Sequence, residues 1–239
     1  MKNVLLTGAK GKLGSAIMDV LKYKTYYDGS YVGTSNVYNV YGIDIDQYDL
    51  MNDFDIERLF DYIQRNLNPL DVVINNAAID NPPGDSTNFM TNIEEIIKVN
   101  LIASAKIAHK AALMMKNNIN GGVIINIGSI LGNVAADYRN YKGDFEKPVG
   151  YNLSKAGLIQ LSRSLAVQYG AWNIRSVCVA FGAVDTGKLD EEFMSKFVKN
   201  IPLKRFVSID SVVKSIEYAI DCPELTGQQI LIDGGYTAW

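Results

Sequence analysis

Short apolar runs alternate along the chain with longer stretches that have a helical pattern of apolar and polar residues. The run Val123-Ile124-Ile125-Asn126-Ile127 is apolar at nearly every position, as expected of a strand that is covered on both faces. Strands that alternate with helices are typical of a parallel sheet with crossover helices. The pattern therefore predicts an α/β protein with a doubly wound parallel sheet and helices on both faces.

We predict about seven strands and six helices from this pattern. The strands are expected near residues 3–7, 30–35, 40–46, 72–75, 123–127, 174–179 and 228–232. The helices are expected near residues 12–23, 54–66, 92–117, 150–170, 189–199 and 209–221. No internal repeat, low-complexity tract or linker divides the chain, so residues 1–239 are predicted to form one domain.

The second strand has two candidate positions, because the segment from Val37 to Asp44 could also be that strand and would end in an acid. In that case only four residues would separate Asp44 from Asp49, where the end of the next strand is expected. Parallel neighbours normally need a crossover of about a dozen residues. The spacing therefore favours residues 30–35, with a loop in place of the usual helix before the third strand.

Composition and charge exclude several functional classes. A net charge of −3 gives no electrostatic reason to expect nucleic acid or an anionic membrane as a partner. The apolar runs are much shorter than a membrane span, and the first residues enter a strand at once, which leaves no room for a signal peptide. Cys178 and Cys222 lie far apart, which favours a reducing cytoplasm over a disulfide. We expect no metal site, and His109 lacks partners for a catalytic triad.

A glycine-rich turn follows the first strand and opens the first helix, with the sequence Thr7-Gly8-Ala9-Lys10-Gly11-Lys12-Leu13-Gly14. Glycines let the backbone turn tightly and approach a pyrophosphate, and the helix N-terminus offers free N–H groups to an anion. Glycines also punctuate secondary structure for purely structural reasons. The strand–turn–helix setting nevertheless predicts a dinucleotide site in a Rossmann fold.

Five segments, in order along the chain, resemble the short-chain dehydrogenase/reductase family. After the glycine turn, Asn75-Asn76-Ala77-Ala78 resembles the family's Asn-Asn-Ala-Gly signature, and Asn100 matches the asparagine of the following helix. Ser129 ends a predicted strand, and Tyr151-Asn152-Leu153-Ser154-Lys155 matches the Tyr-x-x-x-Lys motif. The resemblance covers nearly the whole chain, and it is to the single-domain branch of the family.

The chemistry explains why a tyrosine and a lysine occur together at this spacing. A phenol has an ordinary pKa of about 10, which is too high for an efficient base near neutrality. Residues four apart share a helix face, so the Lys155 ammonium can lie beside the Tyr151 oxygen and favour the phenolate. The same spacing is also that of an ordinary surface pair. The resemblance implies that Lys155 also holds the nicotinamide ribose, that Ser129 hydrogen-bonds the reacting oxygen, and that Asn100 supports a water.

The resemblance also implies the remaining cofactor contacts. Asp49 and Leu50 would face the adenine, while Val184 and Thr186 would approach the nicotinamide carboxamide. If the second strand ends near Ser35, no acid meets the adenosine 2′-hydroxyl, and Lys10 or Lys12 could meet a 2′-phosphate; if it ends at Asp44, NAD is favoured. Strand spacing favours NADP. The full predicted cofactor site comprises Gly8, Lys10, Gly11, Lys12, Leu13, Gly14, Ser35, Asp49, Leu50, Asn76, Ala77, Tyr151, Lys155, Val184 and Thr186.

The sequence departs from the family pattern in several places. Lys12 stands where single-domain members carry the middle glycine, which resembles the extended, sugar-nucleotide branch. Phe181 and Val177 stand where proline and asparagine are usual. The gap between Ser129 and Tyr151 is long and contains residues 137–147, a polar and aromatic insertion.

That insertion suits a polar, hydroxyl-bearing or anionic substrate, such as a sugar derivative, and a similarly lengthened loop occurs in family members linked to surface-sugar biosynthesis. A solvated loop without substrate contact is the alternative. We expect residues 186–206 to form a mobile cover over the substrate.

The predicted function is an NAD(P)-dependent interconversion of an alcohol and a ketone on a small-molecule substrate. The alternatives are a reductase of 3-oxoacyl substrates, an epimerase or dehydratase that uses the nicotinamide transiently, and a non-catalytic dinucleotide sensor. The resemblance also implies a homo-oligomer, either a tetramer or a dimer, that packs through the helices near 92–117 and 150–170.

Overall fold

The computed structural model describes residues 1–23, 38–80, 88–141, 145–184 and 191–238, and these contain one parallel sheet of six strands. The strand order is β2-β1-β3-β4-β5-β6. The chain therefore moves outward from β1 to β2 and then returns to the other side of β1, which makes the reversal of strand order where open α/β sheets bind ligands. The strands are β1 (Lys2–Thr7), β2 (Tyr38–Ile43), β3 (Val72–Asn75), β4 (Gly122–Ser129), β5 (Ile174–Phe181) and β6 (Gln229–Ile232).

The helices lie close to their predicted positions. The region predicted as one helix over 92–117 contains two α-helices joined by a wider π-helical turn at Lys98–Ala103. None of the helices in the described ranges is long and apolar enough to cross a membrane. The α-helices are α1 (Lys12–Tyr23), α2 (Asp53–Asn66), α3 (Ile93–Ile97), α4 (Ser104–Met115), α5 (Val149–Tyr169), α6 (Glu191–Lys199) and α7 (Ile209–Asp221).

The core has two layers, one on each face of the sheet. On one face, Ile17 and Leu21 of α1 and Val212 and Ile216 of α7 pack against the strands. On the other face, apolar side chains of α2, α4 and α5 form the second layer. Since β3 is buried at all four positions, its uniformly apolar start reflects cover from both sides. The predicted doubly wound fold is confirmed.

The second strand corrects the sequence-based assignment. The segment predicted as a third strand near 40–46 is instead β2, paired in parallel with β1 from Lys2–Tyr38 to Thr7–Ile43. The predicted position required a further strand ending near Asp49, and the described residues form none there. In the structure the chain turns directly after β2, where the Gln47 and Tyr48 N–H groups donate to the Asp44 carbonyl, and it then leads into α2. The predicted strand at 30–35 lies outside the described residues.

Buried polar side chains connect the centre of the sheet with α5. Asn75 and Asn126 lie opposite one another in β3 and β4, and Asn75 Nδ2 donates to Asn126 Oδ1 at 2.9 Å. Asn126 Nδ2 donates in turn to Ser162 Oγ at 2.8 Å, and Ser162 Oγ donates to the Leu158 carbonyl at 2.9 Å. Buried polar groups need such partners. The first asparagine of the Asn-Asn-Ala-Ala segment therefore has a structural role.

We expect Asn126→Val to lower the free energy of unfolding by about 1–3 kcal/mol, because it removes buried hydrogen-bond partners of Asn75 and Ser162. Asn39→Val is a matched control, since Asn39 also lies in a strand and donates to another asparagine, Asn3, but is exposed. The control should change stability by less than about 0.5 kcal/mol. Urea denaturation measures both, and equal effects would contradict a special contribution of the buried chain of hydrogen bonds.

Candidate active site

A cavity of about 470 Å³ opens at the carboxyl ends of β1, β2 and β3, where the strand order reverses. Its wall combines the glycine turn with the segments that follow β2 and β3. Most of the predicted cofactor contacts lie in this wall, namely Gly8, Lys10, Gly11, Lys12, Leu13, Gly14, Asp49, Leu50, Asn76 and Ala77. The structure therefore brings the predicted dinucleotide residues of these three segments together.

Close backbone packing explains the first and last glycines of the turn. Gly8 has a φ of +65°, which favours glycine, and a Cβ at this residue would lie 2.7 Å from the Ala77 Cα. A Cβ on Gly14 would lie 2.0 Å from the Gly8 carbonyl oxygen. Asn76 closes the arrangement, because its Nδ2 donates to the carbonyl oxygens of Thr7 and Gly8 at 3.0 and 3.1 Å. Asn76 thus holds the turn as well as lining the cavity.

An acid also lines the cavity at the end of β2. Asp44 Oδ2 accepts a hydrogen bond from the Lys10 backbone N–H at 2.8 Å, and Oδ1 accepts one from the Ile45 N–H at 2.9 Å. These contacts hold the carboxylate against the glycine turn. Lys10 pairs through its ammonium group with Asp46. The choice of strand 30–35 left Asp44 out of the predicted site, although the alternative strand ending had identified it.

The candidate acid–base residues meet at the carboxyl end of β4. Tyr151 lies half-buried in the first turn of α5, and its hydroxyl hydrogen-bonds with that of Ser129, the last residue of β4. Lys155 lies one turn further along α5 and is buried, with Nζ 5.4 Å from the Tyr151 ring centroid. The same Nζ donates to the Ile127 carbonyl at 2.8 Å. The structure therefore brings Ser129, Tyr151 and Lys155 together.

Burial disfavours the charged forms of both residues. It raises the pKa of Tyr151, the nearby Asp80 carboxylate raises it further, and the hydrogen bond with Ser129 lowers it. Burial also lowers the pKa of Lys155 to about 8. Burial therefore opposes a phenolate at Tyr151, and positive charge close by would favour it.

Asn100 links the two halves of the site through its side chain. It lies in the π-helical turn, a wider turn that often occurs at functional positions. Its Oδ1 accepts from the Ile79 N–H at 2.8 Å, and its Nδ2 donates to the Ile79 carbonyl at 3.0 Å and to Ser154 Oγ at 3.2 Å. Ser154 Oγ donates to the Tyr151 carbonyl at 2.7 Å. Asn100 is thus placed to position the chain on both sides of the site.

The insertion packs against α6 and the C-terminal segment. The Tyr141 ring stacks on Phe145 with centroids 4.8 Å apart and meets Phe193 of α6 at 5.4 Å. Asn140 is buried, and its Oδ1 accepts from Asn200 Nδ2 at 3.0 Å. These contacts differ from those of a fully solvated loop. Within residues 137–147, the structure describes all but 142–144.

Of the remaining predicted contacts, Val184 lies just beyond the end of β5. Val184 is half-buried and forms a parallel bridge with Val207. Thr186 and Ser35 lie outside the described residues, as do residues 186–190 of the region predicted to be a mobile cover. The described part of that region contains α6, on which Phe193 and Phe197 join the aromatic contacts of the insertion.

Known proteins resemble this chain over most of its length. A family model described as enoyl-(acyl carrier protein) reductase matches residues 34–237. Carbonyl reductase family member 4 of Xenopus tropicalis is 32% identical over 190 residues, which cover 78% of this chain and 75% of that protein.

Two solved structures are also similar. A short chain dehydrogenase from Leptospira borgpetersenii with bound NAD⁺ has a TM-score of 0.79 and 26% identity, covering 99% of this chain and 92% of that one. A 4-hydroxyisoleucine dehydrogenase complexed with NADH has a TM-score of 0.81 and 26% identity, covering all of both chains.

The buried Lys155 predicts a pH dependence of stability. Its pKa is about 8 in the folded protein, against an ordinary value of 10.5. Between these values the unfolded chain binds more protons, so the Lys155 contribution to the free energy of unfolding rises with pH from about 8 to 10.5. This component is absent from Lys155→Met. Chemical denaturation should show the wild-type value rising relative to the variant by about 1–3 kcal/mol over that range, at about 1.4 kcal/mol per unit of pKa. A constant difference would show that Lys155 keeps its ordinary pKa.

Proposed function

The chain belongs to the short-chain dehydrogenase/reductase family, and from that premise we propose that it interconverts an alcohol and a ketone on a polar small-molecule substrate. The observation that carries the proposal is the meeting of Ser129, Tyr151 and Lys155 at the carboxyl end of β4. A complete acid–base set of this kind is more than dinucleotide binding alone requires.

The residues of the cavity fit a nicotinamide dinucleotide. The glycine turn leads into the N-terminus of α1, which favours a pyrophosphate, and Asp44 lies where a ribose would be bound. When bound, the nicotinamide ring supplies or accepts the hydride. The chain's own residues supply the rest of the chemistry.

We assign three roles to the acid–base residues. Tyr151 takes the hydroxyl proton of the alcohol, or returns it to the ketone oxygen in the reverse direction. Ser129 hydrogen-bonds the same oxygen, and the Lys155 ammonium stabilises the phenolate. Asn100 holds the backbone on either side, so we propose it as a positioning residue.

Asp44 supports NAD(H) as the preferred cofactor. The sequence-based preference for NADP depended on a second strand near 30–35, whereas β2 ends at Ile43 and Asp44 lines the cavity. A carboxylate there can accept hydrogen bonds from ribose hydroxyls and repels a 2′-phosphate.

Exposed apolar side chains on α4 and α5 support a homo-oligomer. Leu113, Leu153 and Val167 are exposed by 46, 50 and 88%. Burial of such side chains favours association. We propose that copies of this chain, each a single domain, pack through these two helices as a tetramer or dimer in the cytoplasm.

We expect Tyr151→Phe to lower kcat by about 10²–10⁴-fold, because the variant lacks the group that transfers the proton. The dissociation constant for NADH should change by less than about threefold, since one hydroxyl is a small part of the dinucleotide contact. Cofactor absorbance with a panel of keto-sugars and 3-oxoacyl thioesters measures turnover, and calorimetry measures binding. Tyr218→Phe, at an exposed position of α7, serves as the control.

The same panel separates the alternative functions. Unchanged turnover in Tyr151→Phe would contradict the mechanism. Dinucleotide binding by the wild type without turnover of any substrate would favour a sensor. Product formation without a net change in absorbance would favour an epimerase or dehydratase, and turnover confined to the thioesters would favour a 3-oxoacyl reductase.

We expect the wild type to bind NADH more tightly than NADPH, and Asp44→Asn to reduce the ratio of the two dissociation constants by about tenfold. The reason is that the neutral amide no longer repels a 2′-phosphate. Titrations with both cofactors give the ratio. Asp53→Asn, an exposed change of the same charge on α2, should leave it unaltered. Tighter NADPH binding by the wild type would refute the preference.

A further inference from the structure

A lysine–aspartate pair lies beside the candidate acid–base tyrosine. The Lys147 Nζ contacts both carboxylate oxygens of Asp80 and lies 4.7 Å from the centroid of the Tyr151 ring. The Lys147 side chain is only 5% exposed, whereas that of Asp80 is 37% exposed. The carboxylate rather than the ammonium group is therefore accessible from the open side of the pair.

Separate parts of the fold hold the two residues in place. Asp80 directly follows Ile79, whose N–H and carbonyl groups are both bound by the Asn100 side chain. Lys147 lies at the end of the insertion. The residues on either side of it are tied to Phe89, because Glu146 Oε2 accepts from the Phe89 N–H at 2.8 Å and the Val149 N–H donates to the Phe89 carbonyl at 2.9 Å. The position of the pair is thus set by the fold.

The charge of Asp80 reaches the reacting groups. Its carboxylate raises the pKa of Tyr151 and of Tyr141, in the same direction as the larger effect of burial. It also raises the pKa of Lys155, against the larger effect of burial, which lowers it. The geometry agrees with this effect, because the Lys147 ammonium that contacts Asp80 lies 4.7 Å from the centroid of the Tyr151 ring, so Asp80 lies next to the Tyr151 side chain. A substrate oxygen bound between Ser129 and Tyr151 would therefore bring its neighbouring carbon atoms close to Asp80.

A largely buried ion pair is weak evidence of a net contribution to stability. Removing a lysine ammonium from water is costly, and replacing a buried ion pair with well-packed apolar residues is often neutral or stabilising. Stability alone therefore does not explain why a charged pair is placed here. An accessible carboxylate beside the reacting centre, by contrast, offers directional recognition that apolar side chains lack.

We propose that Asp80, held in place by Lys147, is a specificity-determining residue that accepts a hydrogen bond from a donor group of the substrate close to its reacting carbon. The donor is a hydroxyl or an ammonium group, and a substrate carboxylate at that position is disfavoured. The proposal rests on the proposed function, since it concerns the substrate of the same site.

The charges of the pair explain why a donor is preferred to an anion. Both oxygens of Asp80 already contact Lys147, so the Lys147 charge is compensated by Asp80 and is not offered to a substrate anion. A substrate carboxylate would face the carboxylate of Asp80, and like charges repel. A substrate hydroxyl or ammonium would instead add a charge-assisted hydrogen bond. Of the hydroxyl-bearing or anionic substrates that the sequence suggested, the proposal therefore favours the hydroxyl-bearing ones and disfavours those with a carboxylate at this position.

The test compares four ketones that share one carbon skeleton. They differ in the group on the carbon atom adjacent to the carbonyl carbon, which is a hydrogen, a hydroxyl, an ammonium or a carboxylate group. Cofactor absorbance gives kcat/KM for each. We expect the wild type to prefer the hydroxyl or the ammonium ketone to the unsubstituted one by about tenfold or more, and to use the carboxylate ketone least.

Asp80→Asn should reduce the preference ratio by about tenfold where the preferred donor is an ammonium group, and by less where it is a hydroxyl. A ratio cancels any effect of the substitution on Tyr151 that all substrates share. Asparagine keeps an acceptor oxygen but loses the charge, so an ammonium preference should collapse while a hydroxyl preference declines less, which tells the two donors apart. Glu57→Gln is the control, because it removes an exposed carboxylate that pairs with Lys110 outside the cavity.

The double variant Asp80→Asn/Lys147→Met covers the case in which the single variant fails to fold, since it leaves no uncompensated buried cation. We expect the double variant to show the same fall in the kcat/KM preference for the donor-bearing ketone as Asp80→Asn. Equal use of all four ketones by the wild type, or an unchanged ratio in either variant, would overturn the role of Asp80 and leave the proposed function standing. No turnover of any ketone by the wild type would overturn both.

Discussion

The hydrogen bonds of the Asn100 amide set the geometry on which the whole site depends. One side chain binds both the N–H and the carbonyl of Ile79, at the wall of the dinucleotide cavity, and it also reaches Ser154 on α5. Ser154 continues the connection to the Tyr151 carbonyl. Because Asn100 is almost fully buried, these bonds are poorly replaced by water if they are lost. The cavity and the acid–base residues therefore keep a fixed relative position.

Positive charge is the second constraint. Tyr151 is surrounded by one anion and two lysine ammonium groups, at 4.7 Å for Lys147 and 5.4 Å for Lys155 from its ring centroid. Burial opposes ionisation of the phenol and lowers the pKa of Lys155. The cost of these buried charges makes sense if they act on a reaction, because apolar packing would stabilise the fold more simply.

Local patterns in the sequence predicted the elements better than the contacts between them. Helix α7 was expected at 209–221 and has those bounds, because its apolar period is regular and Ser208 caps its first turn. The predicted position of the second strand was wrong because it required a third strand ending near Asp49, whereas the described chain leads from β2 directly to α2. Asp80 was missed because its partner Lys147 is 67 residues away, and their meeting depends on Asn100 and on the packing of the insertion. Spacing along the chain carries no signal for such a contact.

The insertion, residues 137–147, places a positive charge beside the proposed proton acceptor. Its aromatic residues pack against α6, where Tyr141 meets Phe193, and its end brings Lys147 to Asp80. Without that ammonium group, the Asp80 carboxylate would lie uncompensated near Tyr151 and would raise the pKa of the phenol further. The Lys147 ammonium thus supplies the countercharge that lets an acid lie so close to the proposed proton acceptor, and its neighbours Glu146 and Val149 are anchored on Phe89. In the proposed mechanism, substrate recognition and proton transfer therefore both involve the end of this one segment.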